Sequence, residues 1–249
     1  VKSEEFIEIL DVEGRRLAAA AERAAADAPV PACPDWVVHD LVGHVGRVHR
    51  WATRQVAGNL QERQPPVDPP DLAHEALLEW YRQGHRTLIE TLRSAPADLS
   101  CWTLFPGPDG SSRAFWRRRQ AHETAVHRVD AESAAGLPLS QLDPAFAADG
   151  VDELLCGVHP LDRGRVRSET PRTLRLRATD VPDAAWTVRL SADAPTTDRT
   201  TEEPEAPDCV VEGPAADLYL VLWNRLPQER LSVTGDAEAA RLWREASSI

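Results

Sequence analysis

The chain has no methionine and a single lysine, Lys2; the rest of its 28 basic residues are arginines. With abundant alanine and 20 prolines, that bias points to a GC-rich genome and carries no mechanistic information. Val1 in place of a methionine reads as an alternative start codon or a processed end. No Lys/Arg block offsets the net charge of −12, which argues against a general nucleic-acid or anionic-membrane partner. Cysteine is scarce and dispersed: Cys33, Cys101, Cys156 and Cys209 form no CxxC pair and read as reduced thiols of a cytosolic protein. Long apolar runs are missing too. The longest strongly apolar one, Leu218 to Trp223, is far too short to span a bilayer. Glu4, Glu5, Asp11 and Arg15 interrupt the N-terminal apolar residues, which excludes a signal-peptide reading there. The expected location is the cytoplasm. What is present is 249 residues at 42% hydrophobic content, enough for one large domain or two modest ones.

Periodicity predicts an amphipathic helix over 3–27, broken by Val30-Pro31-Ala32-Cys33-Pro34. Further helices are expected at about 35–57, 71–93 and 112–135, the last capped by Ser111 or Ser112. Four long helices with short connections predict a bundle, followed by a shorter bridging helix, Asp143–Val158. Beyond His159-Pro160 the period changes to two. Thr173–Ala178, Trp186–Leu190, Cys209–Val211 and Leu231–Val233 read as strands, and Pro214–Arg225 and Ala237–Ala246 as helices. The acidic stretch Asp193–Asp208 reads as a surface loop. The expected fold class is therefore two-domain α+β: a four-helix bundle over 1–165 and a small α+β domain over 166–249.

The chemistry-bearing segment is Arg119-Gln120-Ala121-His122-Glu123-Thr124-Ala125-Val126-His127-Arg128-Val129-Asp130. Glu123 and His127 stand four residues apart, so both side chains fall on one helix face, about 40° apart. Ala125, Val129, Phe115 and Val126 form the apolar arc of this helix, and the Glu/His pair borders that arc. Arg117, Thr124 and Arg128 fill the opposite side, and Arg117–Arg119 read as a solvated face, with Arg119 able to pair with Glu123 one turn on. A carboxylate and an imidazole so placed can share a divalent cation if a third ligand comes from elsewhere. The second helix offers His39, His44 and His49. Only His44 points to the edge of that helix's core; His49 and His39 lie progressively further from it. Asp40, one turn before His44, is placed to accept its other ring N–H, and Asp130 is the expected outer partner on the fourth helix. Two imidazoles and a carboxylate would leave one position of a Zn²⁺ ion open. The competing reading is a half-buried hydrogen bond between Glu123 and His127, with His44 a satisfied core residue. His122 reads as structural, and His74, His85 and His159 as solvated.

Val30-Pro31-Ala32-Cys33-Pro34-Asp35-Trp36-Val37-Val38-His39-Asp40-Leu41-Val42-Gly43-His44-Val45 resembles the first signature, VPxCPxWxVxDLVxHL, of the mycothiol-dependent maleylpyruvate isomerase family. Residues Phe115 to Glu132 resemble its second signature, and Asp149-Gly150-Val151-Asp152-Glu153-Leu154 a weaker third. Leu222-Trp223-Asn224-Arg225-Leu226 is loosely similar to the motif that ends the family's C-terminal domain.

The resemblance implies a DinB-like metal-binding four-helix bundle with a C-terminal α+β domain. It implies Zn²⁺ or another divalent metal on His44, Glu123 and His127, with mycothiol as the thiol cofactor. It also implies that an arginine of the second domain, here Arg225, grips an acidic small-molecule electrophile. The implied activity is addition of a metal-activated thiolate to that electrophile, as a cis-trans isomerase of the maleylpyruvate type or as a thiol S-transferase. The alternative is a non-catalytic metal- or thiol-binding sensor or interaction protein. None of the four cysteines has an activating His or Lys beside it in the sequence, so the thiol is expected to be an added one.

Overall fold

Apolar stripes of helical period, with alanine at many contact positions, set which faces of the long helices meet and how closely. The computed structural model describes residues 1–161, 166–202 and 206–246. Helices α1 (Glu5–Arg23), α2 (Val38–Ala57), α3 (His74–Ser94) and α4 (Ser112–Ala134) form a four-helix bundle. α1 packs against α3 and α4, and α2 packs against the same two, so α4 lies beside both α1 and α2. Leu10, Leu17, Leu41, Val45, Leu77, Tyr81, Phe115 and Val129 are buried at its centre. Ser111 caps α4, its side chain accepting the Ala114 N–H at 3.1 Å. Among the described residues, no helix is long and apolar enough to cross a membrane.

Two features of the bundle depart from the sequence reading. The Pro-rich break after α1 is a small antiparallel hairpin, β1 (Pro29–Val30) with β2 (Cys33–Val37). Its short strands and its prolines at 29, 31 and 34 hide any period-two pattern. It runs straight into α2, with the Val38 N–H on the Ala28 carbonyl (3.0 Å) and the His39 N–H on the Ala26 carbonyl (2.9 Å).

The second departure is α4, which is buried round almost its whole circumference, including Arg117, Arg118, Arg119, Thr124 and Arg128. Arg117–Arg119 are therefore not a solvated face. Arg117 donates through Nε and Nη2 to the Leu92 carbonyl at 3.2 and 2.9 Å. Arg128 lies between Glu13 of α1 (2.6 Å) and Glu132 of its own helix (2.7 Å). Buried guanidinium groups persist because carboxylates and carbonyls accept hydrogen bonds from their N–H groups.

The chain divides into two compact units between Ser140 and Gln141. The boundary expected at residue 165 lies outside the described residues, and the division falls earlier for a physical reason. The bridging helix α5 (Pro144–Glu153), capped by Asp143 on the Phe146 N–H at 3.0 Å, packs on α6 (Ala215–Leu222) of the second unit. Phe146 meets Tyr219 edge to face, ring centroids 6.3 Å apart. A π-helical turn, Leu154–Val158, continues α5.

The second unit holds a five-stranded sheet in the order β5-β4-β3-β6-β7. Its strands are β3 (Arg172–Ala178), β4 (Ala185–Leu190), β5 (Thr196–Arg199), β6 (Cys209–Gly213) and β7 (Ser232–Gly235). β3 and β6 run parallel, and the other pairs are antiparallel. Leu174, Leu176, Trp186 and Val188 are buried, and α7 (Ala237–Ala246) packs on β3, β6 and β7. Edge strand β5 lies inside the acidic stretch read as a loop. It is largely exposed, so no buried face imposes an apolar alternation on it.

Candidate metal centre

Adjacency of α2 and α4 brings together residues 79 positions apart in sequence. His44 projects from α2 towards Glu123 and His127 of α4. His44 Nε2 lies 3.2 Å from Glu123 Oε1, and His127 Nε2 lies 3.4 Å from the same oxygen. One donor atom from each of the three lies within 4.8 Å of the other two. Their side chains are 22%, 21% and 10% exposed, so the cluster is sheltered but not sealed from solvent. Trp36, at the end of β2, covers one side, its ring centroid 4.6 Å from that of His44 and 5.9 Å from that of His127.

Charged partners surround the three. Asp130 Oδ2 accepts His127 Nδ1–H at 2.8 Å, which leaves Nε2 to face Glu123. Burial alone would lower the His127 pKa, but the hydrogen bonds with Asp130 and Glu123 outweigh it and raise it to about 9. Burial alone would raise the Glu123 carboxyl; hydrogen bonds from His127 and His44 and the charges of His127 and Arg119 hold it well below the usual carboxylate range. A fixed carboxylate oxygen shared by two imidazole nitrogens is a donor set that suits a divalent cation taking mixed N/O ligands, with zinc foremost.

The other candidates are placed as follows. Asp40 does not reach the His44 ring. Its Oδ2 accepts the Val37 N–H at 3.0 Å, because a carboxylate in the first turn of α2 has an unpaired backbone donor close at hand. Arg119 donates to Glu123 Oε2 at 3.2 Å. Cys33 Sγ lies 4.0 Å from Asp130 Oδ2. Burial pushes the Cys101 and Cys209 thiols up, away from thiolate. Arg225, in the second unit just past α6, donates through Nη1 to the Trp223 carbonyl at 2.7 Å and is half-buried. His122 is buried against Phe6, ring centroids 5.9 Å apart. Neither His85 nor His159 is solvated: both are buried, and the His159 ring lies 4.3 Å from that of Trp243. His74 is half-buried beside His39.

His49 lies deeper than its position on the helical wheel implies. It is fully buried, its Nε2 2.9 Å from Thr124 Oγ1 and its ring 5.4 Å from that of His85. Burial, aided by the charge of His85, holds the His49 pKa well below 6.5; burial also lowers that of His85 against the pull of Asp11. Both rings therefore protonate less readily in the fold than in the unfolded chain, which takes up protons below about pH 6.5. Between that value and the depressed folded values the unfolded state binds more protons, so stability falls with acidification. The expected slope is up to about 1.4 kcal/mol per pH unit for each ring. His49→Gln, which keeps a donor for Thr124 without titrating, should flatten the loss seen in urea unfolding between pH 7.5 and 5; an unchanged slope would contradict this.

Comparison with known proteins returns two family models that together span most of the chain. The mycothiol maleylpyruvate isomerase N-terminal domain matches residues 8–132, and the MDMPI C-terminal domain matches residues 145–242. Two crystal structures are similar over 94% of this chain and 93% of theirs. One is a histidine-to-alanine mutant of mycothiol-dependent maleylpyruvate isomerase (TM-score 0.63, 13% identity). The other is the mycothiol-dependent maleylpyruvate isomerase itself (TM-score 0.59, 14% identity). At such identity the likeness is one of fold: a four-helix bundle with a C-terminal α+β domain. No curated protein is similar enough to count as a relative.

Proposed function

The chain belongs to the mycothiol maleylpyruvate isomerase family, and from that premise we propose that it is a zinc- and mycothiol-dependent isomerase acting on a small acidic electrophile of the maleylpyruvate type. The observation that carries the reading is the meeting of His44, Glu123 and His127 around one shared oxygen. These three would hold the divalent ion. Such an ion would lower the pKa of a bound thiol and so supply a thiolate nucleophile at neutral pH.

The chain's own residues do the rest. Asp130 fixes the His127 ring by accepting a hydrogen bond from its Nδ1–H, which leaves Nε2 as the nitrogen that would bind the metal. His127 must lose its second proton before that nitrogen can bind a metal. Trp36 shields the two imidazoles on one side, which lowers the local dielectric and strengthens charge interactions. An acidic protein needs a local cation to hold a substrate carboxylate, and Arg225 of the second unit is our candidate. We expect Arg225→Lys, which keeps the charge but loses the fork, to raise KM or lower kcat/KM with unchanged zinc content. Wild-type kinetics for both Arg225→Lys and Arg225→Ala would remove it from the site.

Product analysis with maleylpyruvate and mycothiol tests the reading. Trans product with the thiol recovered supports the isomerase. A thiol-containing product formed with turnover would mean an S-transferase using the same ligands, and a stoichiometric adduct without turnover would mean a sensor.

A further inference from the structure

Glu123 divides its two oxygens between different partners. Oε1 faces His44 Nε2 and His127 Nε2 at 3.2 and 3.4 Å. Oε2 accepts the Arg119 Nη2–H at 3.2 Å. Arg119 sits one turn before Glu123 on α4 and is only 8% exposed, so the helix backbone and the surrounding packing both hold the pair. The bond is charge-assisted and little screened by water. A cation that took both oxygens would compete with the Arg119 guanidinium for Oε2, whereas one held by Oε1 alone would leave that contact intact.

How many oxygens a carboxylate lends separates cation classes. Hard cations such as Ca²⁺ gather about six to eight oxygens and often take a carboxylate by both. Zinc in catalytic sites takes three protein ligands and keeps one position open. We propose that Arg119 is a positioning residue that restricts Glu123 to one-oxygen ligation. It thereby keeps a coordination position free for the thiol and tilts the site towards small, nitrogen-accepting divalent cations. This rests on the metal reading above, and the test separates the two.

Co²⁺ is the probe, because its visible absorption is intense in four-coordinate and weak in six-coordinate surroundings. Metal-free wild type, Arg119→Met and Arg119→Lys are titrated with Co²⁺, with far-ultraviolet circular dichroism to verify folding. Wild type should give the intense spectrum. Arg119→Met should bind Co²⁺ with bands several-fold weaker and should shift its preference from Zn²⁺ towards Mn²⁺. Arg119→Lys, which keeps a charge and a donor, should recover most of the intensity. Should Arg119→Met not fold, Arg119→Gln, uncharged and shorter, takes its place under the same criteria. Equal intensity in wild type and the uncharged variant overturns the proposal, as does a weak spectrum in wild type. A wild type that binds no Co²⁺ overturns the metal reading itself.

Discussion

Replacing His44, Glu123 or His127 by alanine is expected to abolish most metal binding and activity while leaving a folded bundle. Loss of a partner outside the ligand set typically costs about 10–100-fold in affinity or activity, and loss of a ligand should cost at least that. The fold should survive because apolar packing of Leu10, Leu17, Leu41, Leu77 and Phe115 holds the helices, and the site joins only two of them. His122→Ala, which truncates a ring packed on Phe6, should retain the metal. Elemental analysis and circular dichroism on the same samples check this. Full metal content in any of the three ligand variants, or metal loss in His122→Ala matching theirs, would mean that the ion sits elsewhere.

The second large effect is expected away from the site. Arg128 is fully buried and bonds Glu13 at 2.6 Å, Glu132 at 2.7 Å and the Ser140 carbonyl at 3.1 Å. Ser140 returns its N–H and hydroxyl to Glu132 at 2.9 and 2.6 Å. Arg128→Met preserves much of the side-chain volume but removes the buried cation shared by Glu13 and Glu132, leaving Glu13 with Arg16 at 2.8 Å and Glu132 with Ser140. Breaking a buried pair from one side costs about 3–5 kcal/mol, so Arg128→Met should lower the urea midpoint strongly. Replacing Glu13, Arg128 and Glu132 together by apolar residues should cost much less. A loss below about 1 kcal/mol for Arg128→Met, the range of an exposed pair, would show that water reaches this cluster.

These two predictions also mark what the sequence discloses and what it hides. That His44, Glu123 and His127 would meet was legible because on a helical wheel each falls at the edge of its helix's apolar arc. His49, Arg117 and Arg128 were not legible. A helical wheel sends polar residues to solvent unless a partner is known, and the partners here are distant: Thr124 for His49, Leu92 for Arg117 and Glu13 for Arg128. Asp40 was misread although the signal was there, since an acid in the first helical turn commonly satisfies the backbone before anything else. Trp36 was missed because a proline-rich hairpin shows no periodicity; its place directly ahead of the His44 helix was the available clue. In the second unit, period two located four strands, whereas the boundary shifted because the apolar face of α5 packs on α6, a contact that no local pattern displays.

The central claim is that one divalent ion bound by His44, Glu123 and His127 is needed for a thiol-dependent isomerisation. Metal content of the purified wild-type chain, measured before and after chelation alongside turnover of maleylpyruvate with mycothiol, tests it most directly. The account predicts about one zinc per chain, activity lost in step with the metal, and activity restored when zinc is added back. Full turnover in protein stripped of metal, or turnover that needs no added thiol, would contradict it.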